Sequence, residues 1–202
     1  MEKTLQNNRL SFLLAMDELC ETRSYQEVTI DELCRAAGSS KSSFYRMFSG
    51  KVDIVLWFQE LVLSQSLDEI GRTLTWQEGF MRAYEGFRIA PTAINAAMAF
   101  DGADSPVDNH LRHTIGSLSK TITEVKGRPL DEELRFEIDY FAHSLRMLLV
   151  TETWTTAYGQ HDYRLMADLL ARCVPRDLFD ALNVPSHPEQ KVPFSLSGLL
   201  RA

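Results

Sequence analysis

The sequence predicts an all-α fold, an N-terminal three-helix head on a C-terminal helical bundle. Two observations carry that reading. Apolar residues recur at helical spacing in segment after segment, and no stretch alternates apolar and polar as a half-buried strand does. Between Thr29 and Lys51 a short helix, a glycine turn and a second short helix follow one another directly.

Composition allows this architecture. The 202 residues suffice for one large or two small domains, and 45% hydrophobic content supplies a core beside an ordinary 24% of charged residues. No apolar run approaches the length that spans a bilayer, and Met1–Asn8 lacks the apolar stretch of a signal peptide, so a cytoplasmic protein is expected. The three cysteines, Cys20, Cys34 and Cys173, are odd in number and widely spaced, which argues against a disulfide framework or a zinc site. Cys20 and Cys34 lie on apolar stripes and read as small buried thiols.

The first helix is expected over 4–23, with Leu5, Phe12, Leu13, Met16, Leu19 and Cys20 on its apolar side. Thr29 with Glu32 forms a capping box, so a second helix starts at Ile30. Ile30, Leu33, Cys34 and Ala37 give it one buried stripe. Gly38 permits the left-handed stop, and Ser39-Ser40 restarts the chain with a serine cap. In the third helix Phe44 and Phe48 face inward, which leaves Lys41, Ser42, Ser43, Tyr45 and Arg46 on the other sides. Ser49 caps a fourth helix carrying Lys51 in its first turn, where free amides and the positive dipole end suit a phosphate. Two short helices joined by a glycine turn make the helix-turn-helix motif, whose second helix enters the DNA major groove.

Charge supports that use. Residues 1–51 hold seven Lys/Arg and seven Asp/Glu, so the net −7 of the chain resides wholly in 52–202. From Leu33 to Val52 there are Arg35, Lys41, Arg46 and Lys51 and no acid. Phosphate neutralisation acts at short range, within a Debye length of ~8–10 Å, so local charge outweighs the total.

The full phrase resembles the TetR (tetracycline-repressor-like) family. That signature is a threonine-capped helix, Ala-Gly-x-Ser, a short Tyr-bearing helix ending in Phe, then Ser-x-Lys. Here it reads Thr29, Ala37-Gly38-Ser39-Ser40, Phe44-Tyr45-Arg46-Met47-Phe48 and Ser49-Gly50-Lys51. The resemblance covers the first quarter of the chain strongly and the rest in layout. Ser39 stands where the family usually has Val, Ser42-Ser43 where it often has Gly-Thr, and Met47 where Tyr or His is common. The resemblance implies a DNA-binding set of Thr29, Ser40, Lys41, Ser42, Ser43, Tyr45, Arg46 and Lys51. Within it Lys41, Ser42 and Ser43 are expected on base edges, Thr29, Tyr45 and Lys51 on phosphates, and Arg46 on either.

The fourth helix should run from Lys51 into the low seventies as a buried connector. Further helices are expected at about 75–88, Pro91–Phe100, 107–126, 131–158, 162–173 and from Pro175 to about Leu182, with a loop at Asp101–Pro106. The domain reading is 1–51 for DNA binding, 52–183 for ligand binding and dimerisation, and 184–202 as an extended tail. The helix at 131–158 has two apolar stripes, Leu134, Ile138, Phe141, Leu145, Leu148 and, near another side, Phe136, Tyr140, His143, Met147, Trp154. A helix apolar on two sides is sandwiched, inside its own domain or against a partner. The resemblance implies the partner: a homodimer through 131–158 and 162–182, binding a near-palindromic operator.

The resemblance also implies a ligand pocket in the body whose occupation shifts the connector and releases DNA, making the chain a ligand-released repressor. Candidate lining residues are Trp57, Phe80, Tyr84, Phe100, Met147 and Trp154, with Phe58 and Phe87 beside them and Tyr140 and His143 as polar anchors. For each alone, ordinary core is the commoner role; as a set they favour an apolar or aromatic ligand. Two other readings compete. A helical dimerisation module without DNA binding keeps the fold. A metal-dependent enzyme draws on His110-x-x-His113 near Asp104 and Asp108, but neither Glu-x-x-His nor His-Glu-x-x-His is present there, and solvated polar residues near a loop are the plainer reading. No catalytic residue, metal or cofactor is assigned.

Overall fold

The computed structural model describes residues 2–99, 105–150 and 163–194. Among them are ten α-helices and no β-strand: α1 (Glu2–Cys20), α2 (Ile30–Ala36), α3 (Lys41–Met47), α4 (Lys51–Leu63), α5 (Trp76–Phe87), α6 (Pro91–Met98), α7 (Pro106–Lys120), α8 (Glu132–Val150), α9 (Tyr163–Arg172) and α10 (Arg176–Leu182). The remainder of the helix expected over 131–158, the loop at 101–104 and the tail beyond 194 lie outside the described residues.

The head closes around aromatic edges. Phe12 of α1 meets Phe44 at 5.3 Å and Phe48 at 6.2 Å, both nearly perpendicular, the arrangement that ring quadrupoles favour. The Arg9 guanidinium lies 5.7 Å from the Phe48 and Trp57 rings and shields this cluster from water. The core does not stop at residue 51. Ile54, Val55, Phe58, Leu61 and Val62 of α4 continue it, and Ala93, Ile94, Ala97 and Met98 of α6 complete it. The Asp17 carboxylate accepts from the Ala93 amide at 2.8 Å, so α1 caps the start of α6.

Lys51 fastens the head from the other side. Its ammonium donates to the carbonyls of Tyr25, Gln26 and Val28 at 2.6, 2.9 and 3.0 Å and sits 4.7 Å from the Tyr25 ring centre. All three N–H donors are used inside the protein, so the loop from α1 to α2 is tied to the first turn of α4.

A second core joins α5 to α7–α10. Trp76 stacks on Phe80 and meets Phe141 edge-on, surrounded by Leu118, Ile138 and Leu178. Close approach of α5 depends on two glycines. A Cβ at Gly79 would collide with Ile70 Cγ1, and one at Gly86 would sit 2.7 Å from Val62 Cγ1.

Two expectations change, and the tail gains contacts. The connector stops at Leu63, not in the low seventies: the Ser66 hydroxyl donates to the Val62 carbonyl, and a 3₁₀ turn at Leu67–Glu69 leads to Gly71 at φ 79°. That bend drops Leu67 and Ile70 into the second core, which a straight helix does not reach. The tail from 184 to 194 lies along the body as a strap. Ser186 and His187 amides donate to Gly71 and Arg72 carbonyls, Lys191 pairs with Glu78, and Arg82 donates to the Val192 carbonyl. His110 and His113 are not solvated: His110 is buried under the body, and His113 holds Asp68 at 2.7 Å and Glu60 at 3.3 Å, tying α7 to α4 and the turn after it. Among the described residues no group of three or more such side chains is placed to hold a metal.

Two outcomes are expected. The hydrogen bond to Asp68 raises the pKa of His113, and Glu60 adds to it. A raised folded-state pKa means that this staple contributes fully below the unfolded pKa of ~6.5 and fades as pH rises through the higher folded value. In urea unfolding, the stability difference between wild type and His113→Gln should therefore be largest near pH 6 and shrink toward pH 8.5; the neighbouring His110, which burial pushes down to about 4, is common to both proteins. Lys51→Ala should lower unfolding stability by about 2 kcal/mol, because three carbonyls lose a charged donor, and Lys51→Arg should not restore it, since a planar fork does not fit three converging oxygens.

Candidate nucleic-acid interface and body cavity

Local chemistry fixes the two short helices before packing does. Thr29 Oγ1 accepts from the Glu32 amide at 3.3 Å and the Thr29 amide donates to the Glu32 carboxylate at 3.0 Å, closing the capping box. Arg23 and Thr29 together hold the Glu32 carboxyl down at about 2. Gly38 takes φ 60°, and Ser40 Oγ then accepts from the Ser43 amide at 3.1 Å to start α3.

The outer face of α3 carries Lys41, Ser42, Tyr45 and Arg46, all exposed, with Ser43 half-buried against Ser40. Tyr45 is 57% exposed, its ring edge-on to Phe44 at 5.3 Å, so it projects from an anchored base. Lys41 pairs with Asp31 of α2 across an exposed gap. Thr29 is exposed at the start of α2.

The geometry at the start of α4 differs from expectation. Lys51 points into its carbonyl cradle, away from any phosphate, and the amides of Ser49 and Gly50 donate to the Asp53 carboxylate at 2.7 and 3.3 Å. The helix supplies its own anion there. Met47, where a phosphate-binding Tyr or His is common in the resembling family, is 9% exposed and belongs to the head core.

The body encloses a cavity of about 460 Å³ between α5, α6, α7, α8 and α9. Its walls include Phe80, Tyr84 and Phe87 of the expected set. Trp57 is instead held between Phe48 and Phe58 at the head. Tyr140, His143 and Met147 are exposed on the outside of α8, with Tyr140 stacked on Phe136, because they follow the stripe opposite the one facing the core. Phe100 and Trp154 lie outside the described residues. Besides the Tyr84 phenol, the polar lining comes from positions outside the expected set, Arg88, Asn95 and His110. His110 carried a signal: with Val107, Thr114 and Leu118 it occupies the buried stripe of α7.

Comparison with known proteins places these parts. The family model of the bacterial regulatory proteins, tetR family, matches residues 13–56, from within α1 into α4. No curated protein matches the chain. Among solved structures it is similar to the dihydroxyacetone kinase operon activator DhaS, at 13% identity and TM-score 0.59 over 88% of this chain and 98% of that one. It is also similar to TylP, a tetR regulator from Streptomyces fradiae, at 15% identity and TM-score 0.53 over 97% and 95%. At such identities the likeness is one of fold. The head at residues 13–56 thus matches the tetR-family model, and the helical body behind it shares the fold of these solved structures.

Proposed function

We propose that this chain is a homodimeric, ligand-released repressor that reads a near-palindromic operator with α3. The observation that carries the reading is the outer face of α3, where Lys41, Ser42, Tyr45 and Arg46 stand exposed above a closed aromatic core. Lys41, Ser42 and Ser43 reach for base edges; Tyr45 and Thr29 hold phosphates; Arg46 serves either; Ser40 sets the start of the reading helix. Lys51 leaves this set and acts within the head. In the division proposed, residues 1–51 bind DNA, 52–183 bind the ligand and the partner, and 184–202 are an extended tail, of which 184–194 lie against the body.

Exposed apolar side chains support the dimer. Phe136, Tyr140 and Met147 of α8 are 70%, 59% and 60% exposed, and Leu165 and Leu169 of α9 add 51% and 38%. Two helices that each present exposed apolar side chains are suited to a two-fold contact with a second copy. A two-fold dimer sets its reading helices in successive major grooves ~34–36 Å apart, which requires a near-palindrome.

The cavity supports ligand release. Helix α6 presents Ile94, Asn95 and Met98 to the cavity, while Asp17 of α1 caps its start, so an occupant that moves α6 also pushes on the head. The resident ligand expected is apolar or aromatic. Repression is the usual mode of the family and is the mode proposed; DhaS is named an activator.

Selection of genomic DNA fragments on the purified protein should recover one near-palindromic motif, lost with Tyr45→Ala/Arg46→Ala, a pair exposed enough to leave folding intact. No enrichment over that variant would sink the DNA-reading assignment and favour a dimerisation module. Met147→Glu should convert the dimer to a monomer in light scattering and weaken operator binding at least tenfold, because each head alone keeps only half the contacts. A ligand screen should then find compounds that lower operator affinity in the wild type.

A further inference from the structure

The lining of the cavity is asymmetric in charge. Arg88, exposed at the end of α5, is the one charged side chain among its described lining residues, and no carboxylate is among them. Arg88 makes no ion pair among the described residues, and Glu85, one turn earlier, is not part of the lining. Beside it stand Pro91, exposed, and Asn95, half-buried. The buried part of the wall is apolar, formed by Leu67, Phe80, Met98, Leu145 and Ala167.

The single polar group on the buried part is His110, and it is neutral, because burial pushes its pKa down to about 4. The Thr114 hydroxyl donates to the His110 carbonyl at 2.8 Å and stands 3.3 Å from Nδ1. Its one proton is committed, so Nδ1 carries hydrogen toward Thr114 and Nε2 is a bare acceptor. An acceptor in an apolar wall repels an anion. Among the described lining residues Arg88 is the one full positive charge that favours an anionic occupant.

We infer that the cavity binds a monoanionic amphiphile, with its carboxylate-type head on Arg88 and Asn95 at the exposed side and its hydrocarbon or ring body against Phe80, Met98 and Leu145. This rests on the ligand-release reading above and narrows it to a chemical class. A cation finds no counter-charge among the described lining residues. A neutral molecule buries the same apolar body and forgoes the charge-assisted hydrogen bonds of the guanidinium. The start of α6 adds nothing here, since Asp17 already occupies its amide.

The test uses one chain length with three heads. Dodecanoate, dodecan-1-ol and dodecyltrimethylammonium, each below its micelle concentration, are titrated by calorimetry into wild type and Arg88→Gln. Because Arg88 is solvent-exposed, the expected advantage of the acid over the alcohol is modest, roughly tenfold. Arg88→Gln should erase that advantage and leave the alcohol unchanged; the side chain is on the surface, so folding is not at stake. Ala83→Phe, which fills the wall between Phe80 and Phe87, should weaken acid and alcohol alike and so separate the cavity from the exposed apolar face of α8. If the alcohol binds as tightly as the acid, or the preference survives Arg88→Gln, the anion assignment is overturned and the cavity remains a ligand site. If none of the three binds, the amphiphile class is overturned, and the operator-release screen decides the ligand reading by itself.

Discussion

Helix α4 has no side to spare, and the rest of the molecule is arranged by that fact. Ile54, Val55, Phe58, Leu61 and Val62 belong to the core that closes the head, and Leu63 belongs to the core of the body. The one polar residue fully inside it, Gln59, donates to the Pro106 carbonyl at 3.0 Å and accepts from Asn109 at 3.1 Å, so even its amide is committed to α7. Gly86 lets α5 press onto Val62. A close-packed interior transmits displacement instead of absorbing it. Helix α4 thus joins body to head, and so does α6, held to α1 through Asp17.

The head handles its charges in a consistent way. Most of its acids with a described contact serve to close structure: Glu32 caps α2 and holds Arg23, Asp53 caps α4, and Asp17 caps α6. Lys51 is likewise internal. What remains outward on α2 and α3 is Arg35, Arg46 and the exposed Lys41–Asp31 pair. An exposed pair of this kind is worth about 0–1 kcal/mol, so releasing Lys41 from Asp31, as the proposed reading requires, costs little. A chain of net charge −7 with a positive reading face disfavours indiscriminate attachment to nucleic acid.

The cavity arises where the two cores meet without merging. Helix α6 closes the first and α5 opens the second, and the space between them is roofed by α7, α8 and α9. Tyr84 of α5 stacks on Tyr163 of α9 at this seam. The apolar stripe of α8 that faces inward supplies Leu145, and the opposite stripe is exposed. One helix thereby serves both the cavity wall and the exposed face.

The helical class, the order of the helices and the small head follow from the residues alone, because capping boxes, the Gly38 turn and the spacing of Phe44 and Phe48 are local chemistry that acts within a few residues. The same reading marks the exposed residues of α3 and finds two apolar stripes on α8, without deciding which of them enters the core. Packing across the chain decides the rest. Whether Lys51 meets a phosphate or three carbonyls depends on a loop 23–26 residues away. Whether an aromatic lines the cavity, as Phe80 does, or braces the head, as Trp57 does, depends on which of two cores its helix faces, and both environments demand the same hydrophobicity from the sequence. The end of α4 at Leu63 and the burial of His110 have the same origin. An apolar run states that it must be covered, and only the assembled chain states by what.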